Sequence, residues 1–119
     1  MKQTVRLNVA LTVNDGKLAA FEELATAMTG VTRKEPGTLA YDWHMSADRK
    51  RCRLVETYTN AEALLTHVKG PAVEQYVPQM VQISKVDRIE IYGDPGPEAG
   101  KMLAAFGAEI FLDWQSLGR

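Results

Sequence analysis

Between Val5 and Val13 the apolar residues Val5, Leu7, Val9, Leu11 and Val13 alternate with Arg6, Asn8, Ala10 and Thr12. A two-residue period belongs to a strand with one apolar face, because successive side chains leave a strand on opposite sides. This alternation anchors the whole fold, since the period then changes in a readable order. Asn14-Asp15-Gly16 stops the strand, and Asp15 is the expected N-cap of a helix. Leu18, Phe21, Leu24, Ala25, Met28 and Val31 recur at three- and four-residue steps until Glu35-Pro36-Gly37 ends that helix. Leu39, Tyr41, Trp43 and Met45 alternate with Ala40, Asp42, His44 and Ser46. The polar segment from Ala47 to Lys50 then turns the chain into a strand from Arg51 to Thr59. The apolar faces of this hairpin match when Trp43 pairs with Leu54 and Tyr41 with Glu56, since a one-residue slip would send every side chain to the other face.

Asn60 is the expected N-cap of a short helix through Lys69, and Gly70-Pro71 opens another with proline in its first turn. Val73, Tyr76, Val77, Met80 and Val81 form its apolar stripe. Pro78 is expected to kink that helix by removing the bond to the Glu74 carbonyl. A last core strand runs from Val86 to Tyr92. The order is β-α-β-β-α-β with the second helix broken, which predicts an α+β, ferredoxin-like domain with an antiparallel sheet over residues 1–93. Gly93-Asp94-Pro95-Gly96-Pro97 marks a boundary. Residues 94–119 read as an extension, with a short helix around Met102, Leu103 and Phe106 and a short strand or arm from Glu109 to Trp114. Its apolar residues predict packing on the domain or on a partner. Helices on one side leave the second sheet face needing cover. The expected cover is a second copy, in a homodimer with the sheets face to face.

The chain's 119 residues suit one core and are too few for two ordinary domains. A hydrophobic share of 45%, a charged share of 24% and a net charge of -1 give no general attraction to phosphate or acidic membranes. Neither nucleic acid nor a membrane is an expected partner. Lys2 and Arg6 precede no apolar block, so no secretory signal is read. The single cysteine, Cys52, allows no internal disulfide and no zinc spacing, which fits a reducing, cytoplasmic setting.

The sequence has no G-x-G-x-x-G, P-loop, H-E-x-x-H or G-x-S-x-G motif. His44, His67 and Glu56 have the composition of a two-histidine, one-carboxylate iron site. The hairpin register puts His44 and Glu56 on opposite faces, however, so no metal site is expected. His67 lies on or beside the buried side of its helix. It reads either as a packed histidine satisfied by a carbonyl or a carboxylate such as Glu56, or as a base in an apolar ligand pocket. Glu56, on an otherwise apolar strand face, must be paired or have its pKa raised. Asn8 can orient a bound oxygen atom or sit solvated or at an interface. Tyr41, Trp43, Tyr58 and Tyr76 are core aromatics or the walls of a flat aromatic ligand site. Cys52 reads as a small buried hydrophobe and Trp114 as an anchor at the dimer contact. Arg49, Lys50, Arg51 and Arg53 read as a solvated hairpin.

The stretches EPGTLAYDW, Glu35 to Trp43, and ETYTNAEALLTHVKGP, Glu56 to Pro71, resemble the antibiotic biosynthesis monooxygenase superfamily. Glu56, Tyr58 and His67 match its Glu-x-aromatic and helix-histidine positions, and the resemblance covers roughly residues 4 to 93. It implies a dimeric α/β barrel and oxidation of a quinol-like or polycyclic phenolic substrate by O2 without metal, flavin or other cofactor. On that resemblance His67 is the base, Asn8 holds an oxygen, Tyr41, Trp43 and Tyr76 form walls, and Glu56 orients a neighbour. Haem-degrading members differ at two positions, carrying a tryptophan where His67 stands and a ligating histidine about where Val77 stands. The alternative implied by the same fold is a non-catalytic ligand-binding or assembly protein.

Overall fold

A computed structural model describes residues 3–119; Met1 and Lys2, the latter part of the signal reading, lie outside the described residues. Strand β1 (Val5–Val13) leads to helix α1 (Leu18–Thr32), the hairpin β2 (Thr38–Met45) and β3 (Arg51–Tyr58), and helix α2 (Ala61–Val68). A π-helical turn (Ala72–Tyr76) runs into α3 (Val77–Ile83), and β4 (Ser84–Tyr92), α4 (Pro97–Ala104) and β5 (Glu109–Phe111) complete the chain. The sheet is open, in the order β2-β3-β1-β4-β5. All pairs are antiparallel except β4 with β5, which is parallel. This is the expected α+β ferredoxin-like arrangement, with the extension's short strand adding a fifth member at one edge.

The hairpin has the expected register, with Tyr41 opposite Glu56 and Trp43 opposite Leu54. One sheet face carries Leu7, Leu11, Leu54 and Ile91 against the helices, and two packed clusters meet there. The first joins Val5, Leu7, Tyr58, Leu64, Val68 and Ile91 with Ala99 and Leu103 of α4, so the extension's helix shares the main core. The second joins Leu11, Phe21, Met28, Tyr41, Leu54 and Met80. Glu56 lies across from Leu7 of the first and Tyr41 of the second. A buried carboxylate thus occupies the seam between them.

Local chemistry explains where the elements start. Asn60 caps α2, its side chain accepting from the Ala63 N–H at 2.9 Å. Asp15 does not cap α1. The helix begins at Leu18, with Lys17 in the cap position and no side-chain bond there. Pro78 also acts otherwise than expected: the backbone widens into the π-turn before it, and the proline falls in the first turn of α3. There its missing N–H costs no helical bond.

Candidate functional site

His67 is buried near the end of α2 and is held by a residue in the middle of the α1–β2 connection. Its Nδ1 lies 2.9 Å from Glu35 Oε1, an oxygen that also accepts from the Thr38 hydroxyl at 2.9 Å. Glu35 Oε2 is buried without a hydrogen-bond partner. Gly70 allows this approach, because a Cβ there would stand 3.3 Å from Glu35 Oε2 and 3.1 Å from the Thr66 carbonyl. A carboxylate on Nδ1 fixes that nitrogen as the N–H and leaves the lone pair on Nε2.

On its other side His67 meets Glu56. Nε2 is 3.8 Å from Glu56 Oε1, beyond hydrogen-bond reach. The same oxygen accepts a short hydrogen bond from the Tyr58 hydroxyl. Burial pushes the Glu56 carboxyl above its ordinary range and Glu35 adds to this, while His67 and the Tyr58 bond act in the opposite direction. Burial first, and then the Glu56 charge, hold the Tyr41 and Tyr58 phenols far above theirs, so both are neutral. The Tyr41 and Tyr58 rings flank the imidazole, each with its centroid 5.3 Å away. The Tyr41 hydroxyl faces the buried Thr32 hydroxyl, which has no partner at hydrogen-bond geometry.

His67, Glu56, Tyr41 and Trp43 are among the residues lining a cavity of about 100 Å³ between the sheet and helices. The remaining wall is apolar, from Leu7, Val9, Leu54, Met80 and Ile89 among others. Trp43 is fixed, its indole N–H donating to the Thr29 hydroxyl at 2.9 Å and its ring edge-on to Phe21. Val68, Val73, Val77, Val81 and Phe106 line both this cavity and an outer apolar groove of about 420 Å³ that reaches Met102 of α4. These five residues stand between the two spaces and belong to the lining of each. A cavity of about 150 Å³ holds benzene, so the inner space is smaller than a whole ring requires.

Two expected site residues lie elsewhere. Asn8 projects from the opposite face of β1 to Leu7 and Val9; its amide lies against the Tyr92 hydroxyl and its Oδ1 has no partner. The strand separates it from His67, which corrects the expectation that both serve one pocket. Tyr76 packs at the margin of the second core cluster and does not line the cavity. His44 is exposed on the sheet face opposite Glu56, so it does not join His67 and Glu56. Among the described residues no cluster of histidine, cysteine and acidic side chains is arranged to hold a metal ion. Glu35 is the site residue that sequence reasoning missed. Its visible signal was a carboxylate at the turn leading into the strand that carries Tyr41.

Among curated proteins none matches the sequence. The fold is similar to that of MupZ from Pseudomonas fluorescens, with 21% identity over 98% of this chain and 95% of that one and a TM-score of 0.81. That coverage takes in the C-terminal extension. A conserved protein of unknown function from Bacteroides thetaiotaomicron, described as a possible oxidoreductase, is 32% identical over 76% of this chain and 97% of its own, with a TM-score of 0.69. SnoaB from Streptomyces nogalater, a cofactor-independent oxygenase, shares the fold at 14% identity over 80% of this chain and 96% of that one, with a TM-score of 0.69. Residues 4–79 match the family model for antibiotic biosynthesis monooxygenases. With more than half its length matched, the chain belongs to the antibiotic biosynthesis monooxygenase family.

Proposed function

We propose that the chain is a cofactor-independent monooxygenase oxidising a quinol-like or polycyclic phenolic substrate with O2. The observation that carries this reading is the buried imidazole held through Nδ1 by Glu35, with Nε2 directed toward Glu56 at the cavity. Family membership and the SnoaB likeness support the oxygenase class. The outer groove has room for the rings that the inner cavity does not hold.

In this reading His67 Nε2 accepts the proton of a substrate hydroxyl. The resulting aryl oxide is the reductant, and it passes one electron to O2. The radical pair recombines as a peroxide on a ring carbon. Cleavage of its O–O bond leaves one oxygen on the ring as a carbonyl and releases the other as water. A hydroquinone and O2 thus give a hydroxyquinone and water, with atoms and electrons balanced. The apolar wall excludes bulk water, and Tyr41 and Trp43 set the plane of the ring. The protein works as a homodimer joined through the polar sheet faces.

Oxygen uptake by metal-stripped protein over a panel of hydroquinones and polycyclic phenols tests the reading. Uptake should track protein concentration and fall by roughly 10²-fold or more in His67→Ala. Saturable binding without uptake above the spontaneous rate would replace the oxygenase with a ligand-binding protein.

A further inference from the structure

The sheet ends differently at its two edges. At one, the extension's β5 covers β4. At the other, β2 is paired only with β3, so a row of its backbone N–H and C=O groups faces outward with no neighbouring strand. Alongside this bare edge a trough of about 500 Å³ runs between β2 and α1, with Phe21, Trp43 and Met45 among its apolar lining and Arg33 and Arg49 among its polar lining. Gly30, near the end of α1, also lines it, and a Cβ there would meet nothing within 4 Å. Glycine weakens a helix relative to alanine, and here its missing side chain keeps the trough open. Beyond β5, the backbone from Leu112 to Leu117 makes no hydrogen bond among the described residues, and Leu112, Trp114 and Leu117 are exposed. The chain thus carries an extended segment without a sheet and a sheet edge without a strand.

We infer that the tail of one copy adds to the β2 edge of a second copy and fills its trough with Leu112 and Trp114, in a reciprocal exchange. The inference rests on the homodimer part of the proposed function and is independent of the oxygenase chemistry. In an extended chain Leu112 and Trp114 point to one side and Asp113 to the other. With the first two lying beside Trp43 and Met45, Asp113 falls on the opposite sheet face, where His44 of β2 and Arg53 of β3 are cross-strand neighbours. The charges are complementary. The tail's own β2 is out of easy reach, since β5 and β2 are four strand spacings apart, about 19 Å, across a whole sheet face. A twofold axis running along the strands reverses the strand order of the facing sheet, which brings β5 of one copy over β2 of the other. Packed sheets stand about 10 Å apart, and six extended residues span about 20 Å, enough to cross that gap and lie along the edge. The same operation seats both tails at once, as an isologous contact requires. Trp43 lines both the trough and the inner cavity, so the second copy's tail backs one wall of the candidate site.

Sedimentation of wild type, Trp114→Ala, Gly30→Leu and an equimolar mixture of the two variants tests the exchange. Trp114 is 88% exposed in the single chain, so its loss leaves the fold intact. Gly30→Leu fills the trough with a good helix former where space is free. Each substitution should raise the dimer dissociation constant roughly tenfold or more with an unchanged circular dichroism spectrum. Mixing then separates exchange from docking within one chain. A heterodimer of the two variants keeps one intact tail on one intact trough, whereas neither homodimer keeps any. The mixture should therefore hold more dimer than either variant alone at the same total concentration. A mixture no more dimeric than its components, or an unchanged dissociation constant in either variant, would overturn the inference. A wild-type chain that sediments at 13.2 kDa would remove the homodimer and the exchange together. A dimer indifferent to both substitutions would remove the exchange and leave the homodimer standing.

Discussion

Glu56 is where burial and ionisation collide, and the collision has a measurable sign. The residue is 5% exposed, and the folded chain holds its proton more tightly than the unfolded chain does. A group with a raised folded pKa contributes stability that is fully present below the ordinary carboxylate range and is lost as pH rises through the raised value. Glu56→Gln has no such proton to lose. The difference in unfolding free energy, variant minus wild type, should therefore grow with pH above the ordinary range, by up to about 1.4 kcal/mol per unit until the folded carboxyl ionises. Urea denaturation at a series of pH values reads this directly. Parallel curves would show that Glu56 keeps an ordinary affinity for its proton. The need for a paired or shifted Glu56 was legible, since its strand face is otherwise apolar. Its neighbour's partner was not: Glu35 and His67 are 32 positions apart, and only the turn after α1 brings them together. Asn8 was placed at the pocket by resemblance, against a strand parity that sets it on the other face from Leu7 and Val9.

At the scale of elements, the position of α2 decides where His67 stands, and a glycine sets that position. A Cβ on Gly37 would lie 2.5 Å from the Cβ of Ala63 in the first turn of α2. Neither atom belongs to a flexible side chain, so Gly37→Ala must push α2 away from the entry to β2. Overpacking of this kind costs about 1–3 kcal/mol. Ala63→Gly alone costs about 1 kcal/mol of helix propensity, yet in the double variant it reopens the space. The combined loss should be smaller than the sum by about 1 kcal/mol or more, and strictly additive losses would refute the contact. The elements were mostly legible because each carried a clear period or cap, including Asn60 and the hairpin register. The π-turn was not. Sequence places a break at Pro78, but a widened turn before the proline relocates its missing N–H to a helix start.

At the scale of the whole molecule, the described residues leave two surfaces that a lone globule does not usually expose. Beyond β5, Leu112, Trp114 and Leu117 are 68%, 88% and 79% exposed, and large apolar side chains grouped in this way mark contact surfaces. The outer sheet face presents Ala10 and Val55 beside Asn8, whose Oδ1 lacks a partner, in a setting of Arg53, Arg88 and Glu90. Small apolar residues at the centre of a charged rim are what one sheet needs to sit on its own twofold copy, where each residue i meets j and j meets i. Sequence signalled the need for cover, because helices pack on only one face, but a single chain cannot show the geometry of its partner. The proposed homodimer predicts sedimentation at twice the 13.2 kDa chain mass. Ala10→Arg places a cation at the centre of that face, next to Arg53 and Arg88 across the strands, and opposite its own copy in the dimer. Like charges brought together there cost several kcal/mol, so the variant should sediment as a monomer while keeping its far-ultraviolet circular dichroism. A folded variant that remains a dimer would move the interface away from this face. The apolar tail would then be the surface to truncate next, because Trp114 is the most exposed large apolar side chain among the described residues.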